Sequence, residues 1–191
     1  MIIYDVEVIH GPTEVSGGWG NPAGMEFGTC VAWCDESRMY HFFGPDQREE
    51  FIDWLITSKA TVVGFNSKKF DSRVVMADND LASVPWLQLD LLEKIVCAKF
   101  SVDSIPDAVA TAGPRWVFDG SLNLDTLCHH TIGERKCGHG AHAPVLIQQG
   151  KWAEVFKYNL HDVRLTRKLL EFGRSYGYVV DGDARIIEVE W

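Results

Sequence analysis

The chain opens on the run Ile2-Ile3-Tyr4-Asp5-Val6-Glu7-Val8, an apolar stretch interrupted by acids at positions 5 and 7. Period-two alternation predicts a strand over residues 1–8, with Asp5 and Glu7 on one face and Tyr4, Val6 and Val8 on the other. Residues 9–25 carry Gly11, Pro12, Gly17, Gly18, Gly20, Pro22 and Gly24 and are expected to form a loop. Two further strand patterns, residues 26–35 and 38–43, flank a tight polar turn and predict a hairpin. Residues 45–58 place Phe51, Trp54 and Leu55 on one helical face behind Pro45.

Residues 60–65 are short and apolar, a strand, and Asn66 is expected to cap a helix running to about residue 78. Further helices are expected over residues 90–99, 123–132 and 152–174, the last stopped by Gly177. Residues 101–121 read as irregular because of Pro106, Gly113 and Pro114. Residues 133–143 read as a Gly/His-rich loop, and residues 185–191 as a final strand. Strands first and helices later predict an α/β layer architecture, a five-stranded mixed sheet flanked by helices, in one domain over 1–191.

Three places concentrate chemistry. Asp5 and Glu7 share a strand face, where two acids repel each other and resist burial; a divalent cation between them removes both costs, and a solvated sheet face is the plainer alternative. Asp71 lies near the junction of strand 60–65 with the next helix, at a sheet end where α/β ligand sites favour lying; its alternative role is to complement the helix dipole. Tyr158 and Asp162 are one turn apart on the longest helix and so reach the same point.

Bulk properties narrow the class. The chain has 191 residues, 46% hydrophobic and 24% charged, which is enough for a sizeable core and unlike a disordered segment. Five cysteines at irregular spacing do not form a disulfide framework and suit a reducing compartment. The early acid at position 5 argues against a leader peptide, so a soluble cytoplasmic protein is expected. The net charge of −9 disfavours broad duplex binding but is compatible with an acidic site whose local sign is reversed by bound cations.

In order and spacing, Asp5-Val6-Glu7, Asn66 through Asp71, and Tyr158 through Asp162 match a set of three motifs. The chain resembles the DEDD superfamily of 3′–5′ exonucleases, which includes the proofreading domains of DNA polymerases. Lys157 stands where the histidine subgroup would need histidine, and His161 is out of phase, so the resemblance is to the tyrosine subgroup. It spans residues 5 to about 170 and implies a ribonuclease H-like fold.

The resemblance further implies two Mg²⁺ or Mn²⁺ ions. Asp5, Glu7 and Asp162 would hold one, and Asp5 with Asp71 the second, with Tyr158 orienting the attacking water. The implied substrate is single-stranded DNA, with RNA second, carrying a free 3′ end, and the product a nucleoside 5′-monophosphate. A polymerase or helicase partner would act in trans. The rival readings are an endonuclease using the same site and a degenerate nucleic-acid-binding module.

Substrate contacts are expected from Asn66, from Trp19 as a stacking platform, and from Lys68, Arg135 and Lys136 on phosphates. Lys69, Arg73, Arg164, Arg167 and Lys168 could serve the same purpose or only solvate helix faces. Trp19 could equally anchor its loop. Residues 135–140 are expected to cover the substrate groove. Cys128, Cys137, His139 and His142 cluster in sequence without a Cys-x-x-Cys pair, and whether they bind zinc stays open. Asp90 and Asp125 are expected to cap helices.

Overall fold

The structure is a computed structural model that describes residues 1–137 and 142–191, without the side chain of Trp116. It is an α/β chain that divides into two compact units, Met1–Leu89 with Cys137–Val163, and Asp90–Lys136 with Arg164–Trp191. No helix among the described residues is long and apolar enough to cross a membrane.

The first unit is built on a five-stranded mixed sheet of order β3-β2-β1-β4-β5. Its strands are β1 (Ile2–Val8), β2 (Phe27–Cys34), β3 (Met39–Phe43), β4 (Val62–Gly64) and β5 (Gln88–Asp90). Central β1 runs antiparallel to β2, which pairs antiparallel with β3, while β1 and β4 are parallel.

Alternation along β1 sorts the two faces. Ile2, Tyr4, Val6 and Val8 join Cys30, Ala32, Phe43, Phe51, Leu55, Val74 and Val75 in one buried cluster. Helices α1 (Arg48–Ser58) and α2 (Asp71–Met76) supply the last four of these. Phe51 is fully buried and touches the rings of Tyr4, Phe27 and Phe43; such a side chain contributes on the order of 1.5–3 kcal/mol through burial alone. The Tyr4 hydroxyl, at the bottom of this core, shares a hydrogen bond with Ser72 Oγ at 3.1 Å, and Gln88 Nε2 donates to the same oxygen at 2.6 Å, so the buried phenol is satisfied.

The opposite face carries Ile3, Asp5, Glu7, Thr29, Val31 and Phe42. It is covered by α7 (Ala143–Gln148) and by the first half of α8 (Trp152–Tyr176), with Phe42 edge-on to Phe156.

The second unit contains α3 (Leu91–Phe100), α4 (Ile105–Ala112), α5 (Pro114–Val117), α6 (Leu124–Ile132), the second half of α8, and an antiparallel hairpin of β6 (Tyr178–Val180) and β7 (Ile186–Glu188). Asp181 forms the hairpin's polar centre. It is fully buried, and its Oδ1 accepts from the Asp183 and Arg185 N–H groups at 2.9 Å each. Its Oδ2 lies 3.0 Å from Lys99 Nζ. Burial works against the charged form, but the Arg185 N–H and Lys99 more than offset it, and the carboxyl is held below its ordinary value.

Several expectations are corrected. The fifth strand of the sheet is β5, not the C-terminal segment, which among the described residues pairs with Tyr178–Val180 in a separate two-stranded sheet. Residues 101–121 are mostly helical: Ser104 Oγ accepts from the Asp107 N–H at 3.2 Å and starts α4, and Pro106 and Pro114 occupy first-turn positions, where the missing N–H costs nothing. Asn66 does not cap α2. It has φ +61°, its carbonyl accepts from the Lys69 and Phe70 N–H groups, and the helix begins at Asp71. Asp90 does cap, accepting from the Leu92 N–H at 3.0 Å, whereas α6 is capped by Asn123 and not by Asp125. Asp125 instead receives the Lys136 N–H at 2.7 Å and the Arg135 guanidinium at 3.0 Å.

Candidate functional site

Position 7 on β1 sits at a bulge. Glu7 pairs with Thr29 and Val8 with Phe27, so Gly28 is the extra residue of β2. A Cβ at Gly28 would lie 2.8 Å from the Glu7 carbonyl and 2.6 Å from Ile147, so only glycine lets the two strands and α7 close up here. The bulge falls at the end of the strand, on the residue whose acid faces α8.

The buried stripe of α8 over this face is Val155, Tyr158, Asn159 and Asp162, the i, i+3, i+4, i+7 spacing of a core-facing helix. Three of its four members are polar. Tyr158 is 8% exposed, Asp162 1% and Asn159 0%, so the stripe carries polar groups into a place where apolar ones would be the cheaper choice.

Carboxylate oxygens of Asp5, Glu7 and Asp162 all lie within 4.8 Å of one another, the one group of acid, histidine or cysteine ligands so arranged among the described residues. Asn159 Nδ2 donates to Asp5 Oδ2 at 2.7 Å, while Asn159 Oδ1 is buried and makes no hydrogen bond. Thr29, the cross-strand neighbour of Glu7, is fully buried with its hydroxyl likewise unbonded. Like charges this close raise one another's energy, and an all-oxygen set of this kind is what a hard divalent cation takes. These three residues could therefore hold a metal ion.

Asp71 meets β1 along its other edge, outside the group formed by Asp5, Glu7 and Asp162. The parallel register of β1 and β4 runs only through Ile2–Val62 and Ile3–Val63. The Val6 N–H, pointing toward the space β4 has left, donates to Asp71 Oδ1 at 3.0 Å. The side chain takes the place of a backbone carbonyl in the ladder and brings a buried carboxylate to the edge of β1. Asp5 and Asp71 both act on Cys30: burial first, then these two negative charges, push its thiol well above the ordinary range.

The other expected contacts divide. Trp19, 66% exposed, lies on the loop after β1 with its ring centroid 5.9 Å from that of Phe70, the residue preceding Asp71. That loop is tied down by Asn79, whose Nδ2 donates to Asn21 Oδ1 and whose Oδ1 accepts from the Ala23 N–H, and by Gln148, which donates to the Ile9 carbonyl and to Glu14. Lys68 is exposed in the turn between Asn66 and Asp71.

Arg135 and Lys136 belong to the second unit and are engaged with Asp125 there; Arg167 pairs with Glu171 and Lys168 with Glu134. Of the cysteine–histidine cluster, His139 lies outside the described residues, as do residues 138–140 of the expected groove-covering loop. Cys128 is buried with its thiol 3.8 Å from the Leu165 carbonyl. No disulfide forms among the five cysteines.

Asn159 and Thr29 are the site residues that sequence reasoning missed. Asn159 had a readable signal, a polar residue three positions before Asp162 on the same helical face; Thr29 had none without the strand register. The chain matches no protein-family model and no curated protein.

Proposed function

We propose that this protein is a metal-dependent 3′→5′ exonuclease with a ribonuclease H-like fold, of the tyrosine subgroup of the DEDD superfamily, acting on single-stranded DNA and secondarily on RNA. The observation that carries the reading is the convergence of Asp5, Glu7 and Asp162 oxygens within 4.8 Å, from residues more than 150 positions apart in sequence. Asp71, hydrogen-bonded to the backbone between Asp5 and Glu7, supports it as the fourth acid.

In this reading Asp5, Glu7 and Asp162 would hold one Mg²⁺ or Mn²⁺, and Asp5 with Asp71 would hold the other. The bound ions would supply an activated water nucleophile and offset the charge gathering on the phosphate and the leaving 3′ oxygen. Tyr158, buried on the same stripe as Asp162, orients the attacking water through its hydroxyl. The carboxylates repel a bare polyanion, so activity requires the divalent cation before substrate. Trp19 offers an exposed π face for the terminal base, and Asn66 and Lys68 contact the strand beside it.

The test is digestion of 5′-labelled DNA and RNA oligomers in Mg²⁺ or Mn²⁺ beside an Asp5→Ala variant. A ladder shortening from the 3′ side, absent in the variant and absent on circular substrate, is expected. Cleavage of circles would replace the exonuclease with an endonuclease, and a ladder unchanged in Asp5→Ala would sink the site. Failure of the wild type to bind Mn²⁺ in calorimetry would leave only a degenerate binding module.

A further inference from the structure

Asn159 is fully buried, yet only half of its amide is used: Nδ2 donates to Asp5 Oδ2 at 2.7 Å, and Oδ1 makes no hydrogen bond. A buried amide with an unbonded carbonyl is a burden on the fold that leucine, nearly the same size, would not impose. The neighbouring stripe position Val155 is apolar and equally buried, so the helix itself does not call for an amide here. What asparagine supplies and leucine cannot is a hydrogen-bond donor aimed at one oxygen of Asp5.

Resting on the exonuclease reading, we propose that Asn159 is a positioning residue: its amide fixes the rotation of the Asp5 carboxylate, so that Asp5 meets Glu7 and Asp162 at one cation and still serves the other. In that reading Asp5 would serve both ions. Without the donor the Asp5 carboxylate loses this restraint on χ2, and repulsion from Glu7 and Asp162 favours its turning away from the shared point. The N–H bond also draws charge from Oδ2 and so lowers the repulsion that the three acids hold in the metal-free protein. Outer partners of metal-ligating groups commonly control affinity by about 10–100-fold.

The experiment compares wild type with Asn159→Leu and Asn159→Ser by Mn²⁺ calorimetry, thermal unfolding in EDTA, and steady-state cleavage of a single-stranded oligomer. Mn²⁺ affinity falls by about 10-fold or more in both variants, the unfolding temperature in EDTA of Asn159→Leu stays within a few degrees of wild type, and kcat drops while KM for the oligomer holds. Raising Mn²⁺ far above the weakened Kd restores much of the rate, which a merely structural defect would not allow. Should Asn159→Leu fail to fold, Asn159→Ser, smaller and still polar, decides alone. Variants that bind Mn²⁺ as tightly as wild type overturn the role of Asn159 and leave the nuclease reading standing; a wild type that binds no Mn²⁺ overturns both.

Discussion

Asp71 has a structural duty that can be separated from any part it plays in chemistry. Its Oδ1 accepts the Val6 N–H at 3.0 Å, beyond the end of the β1–β4 pairing. Asp71→Ala and Asp71→Asn both remove the negative charge, but only alanine removes the acceptor. The difference between the two variants therefore includes the hydrogen bond to this buried backbone donor, and exchange of the Val6 amide reads that bond directly. Leaving such a donor unsatisfied costs about 1–3 kcal/mol. In a chain of 191 residues each kcal/mol shifts the unfolding temperature by about 2–4 °C, so a central figure of about 2 kcal/mol separates the two variants by about 4–8 °C.

The measurement is circular dichroism melting in EDTA, so that no cation contributes, with hydrogen exchange of the Val6 amide as a local readout. Wild type and Asp71→Asn should protect that amide and Asp71→Ala should not. Melting temperatures within about 1 °C of each other, with Val6 protected in both, would refute the ladder role assigned to this carboxylate.

Other expectations test different parts of the molecule. Tyr158→Phe should slow cleavage by about 10-fold or more while leaving Mn²⁺ affinity within about twofold, because the phenyl ring keeps its packing and only the hydroxyl is lost; unaltered turnover removes the hydroxyl's role. Asp181 has a carboxyl held below its ordinary value, so its contribution to stability is complete above the unfolded value of about 3.9 and is lost as the pH falls through the lower folded value. Acid unfolding monitored from pH 5 downward should then lose steepness in Asp181→Asn, and an unchanged curve counts against the Lys99–Asp181 account. Among thiols, exposed Cys137 and partly exposed Cys34 should alkylate in the native state. Cys34 is opposed by burial, but bonds from Ser37 and the Glu36 backbone outweigh it and keep that thiol below its usual value. Cys30 and Cys128 should react only after unfolding, and early modification of Cys30 by mass spectrometry would contradict its place in the core.

The sheet was legible because its strands alternate or run apolar between strong punctuation. β1, β2 and β3 fall within a residue or two of the pattern, and α1, α3, α6 and α8 follow from 3.6-residue periodicity, with the cap of α3 at Asp90 as expected and that of α6 at Asn123 in place of Asp125. β5 was not legible: Gln88–Asp90 is three residues long, too short for any period, and is a strand only because β4 lies beside it. α4 was hidden by Pro106 and Gly113, which punctuate the sequence but in fact mark a helix's first turn and its end. The acids at 5, 7 and 162 could be expected to meet from motif order alone. The means by which Asp71 arrives could not, because a backbone N–H stranded by a short neighbouring strand leaves no trace in residue type. Asn159 escaped notice because an asparagine beside a tyrosine on a polar helix reads as solvated until the helix's buried side is known.

The alternation of β1 carries a consequence for how this chain tolerates change. Oil on one side and acid on the other are written into the same seven residues, so a single inserted or deleted codon between Ile2 and Glu7 would trade the two sides at a stroke. Carboxylates would be driven among Phe51 and Leu55, and valines would be offered to Asp162. A slip of register along this stretch disturbs both faces together, whereas a point substitution can alter one face and leave the other in place.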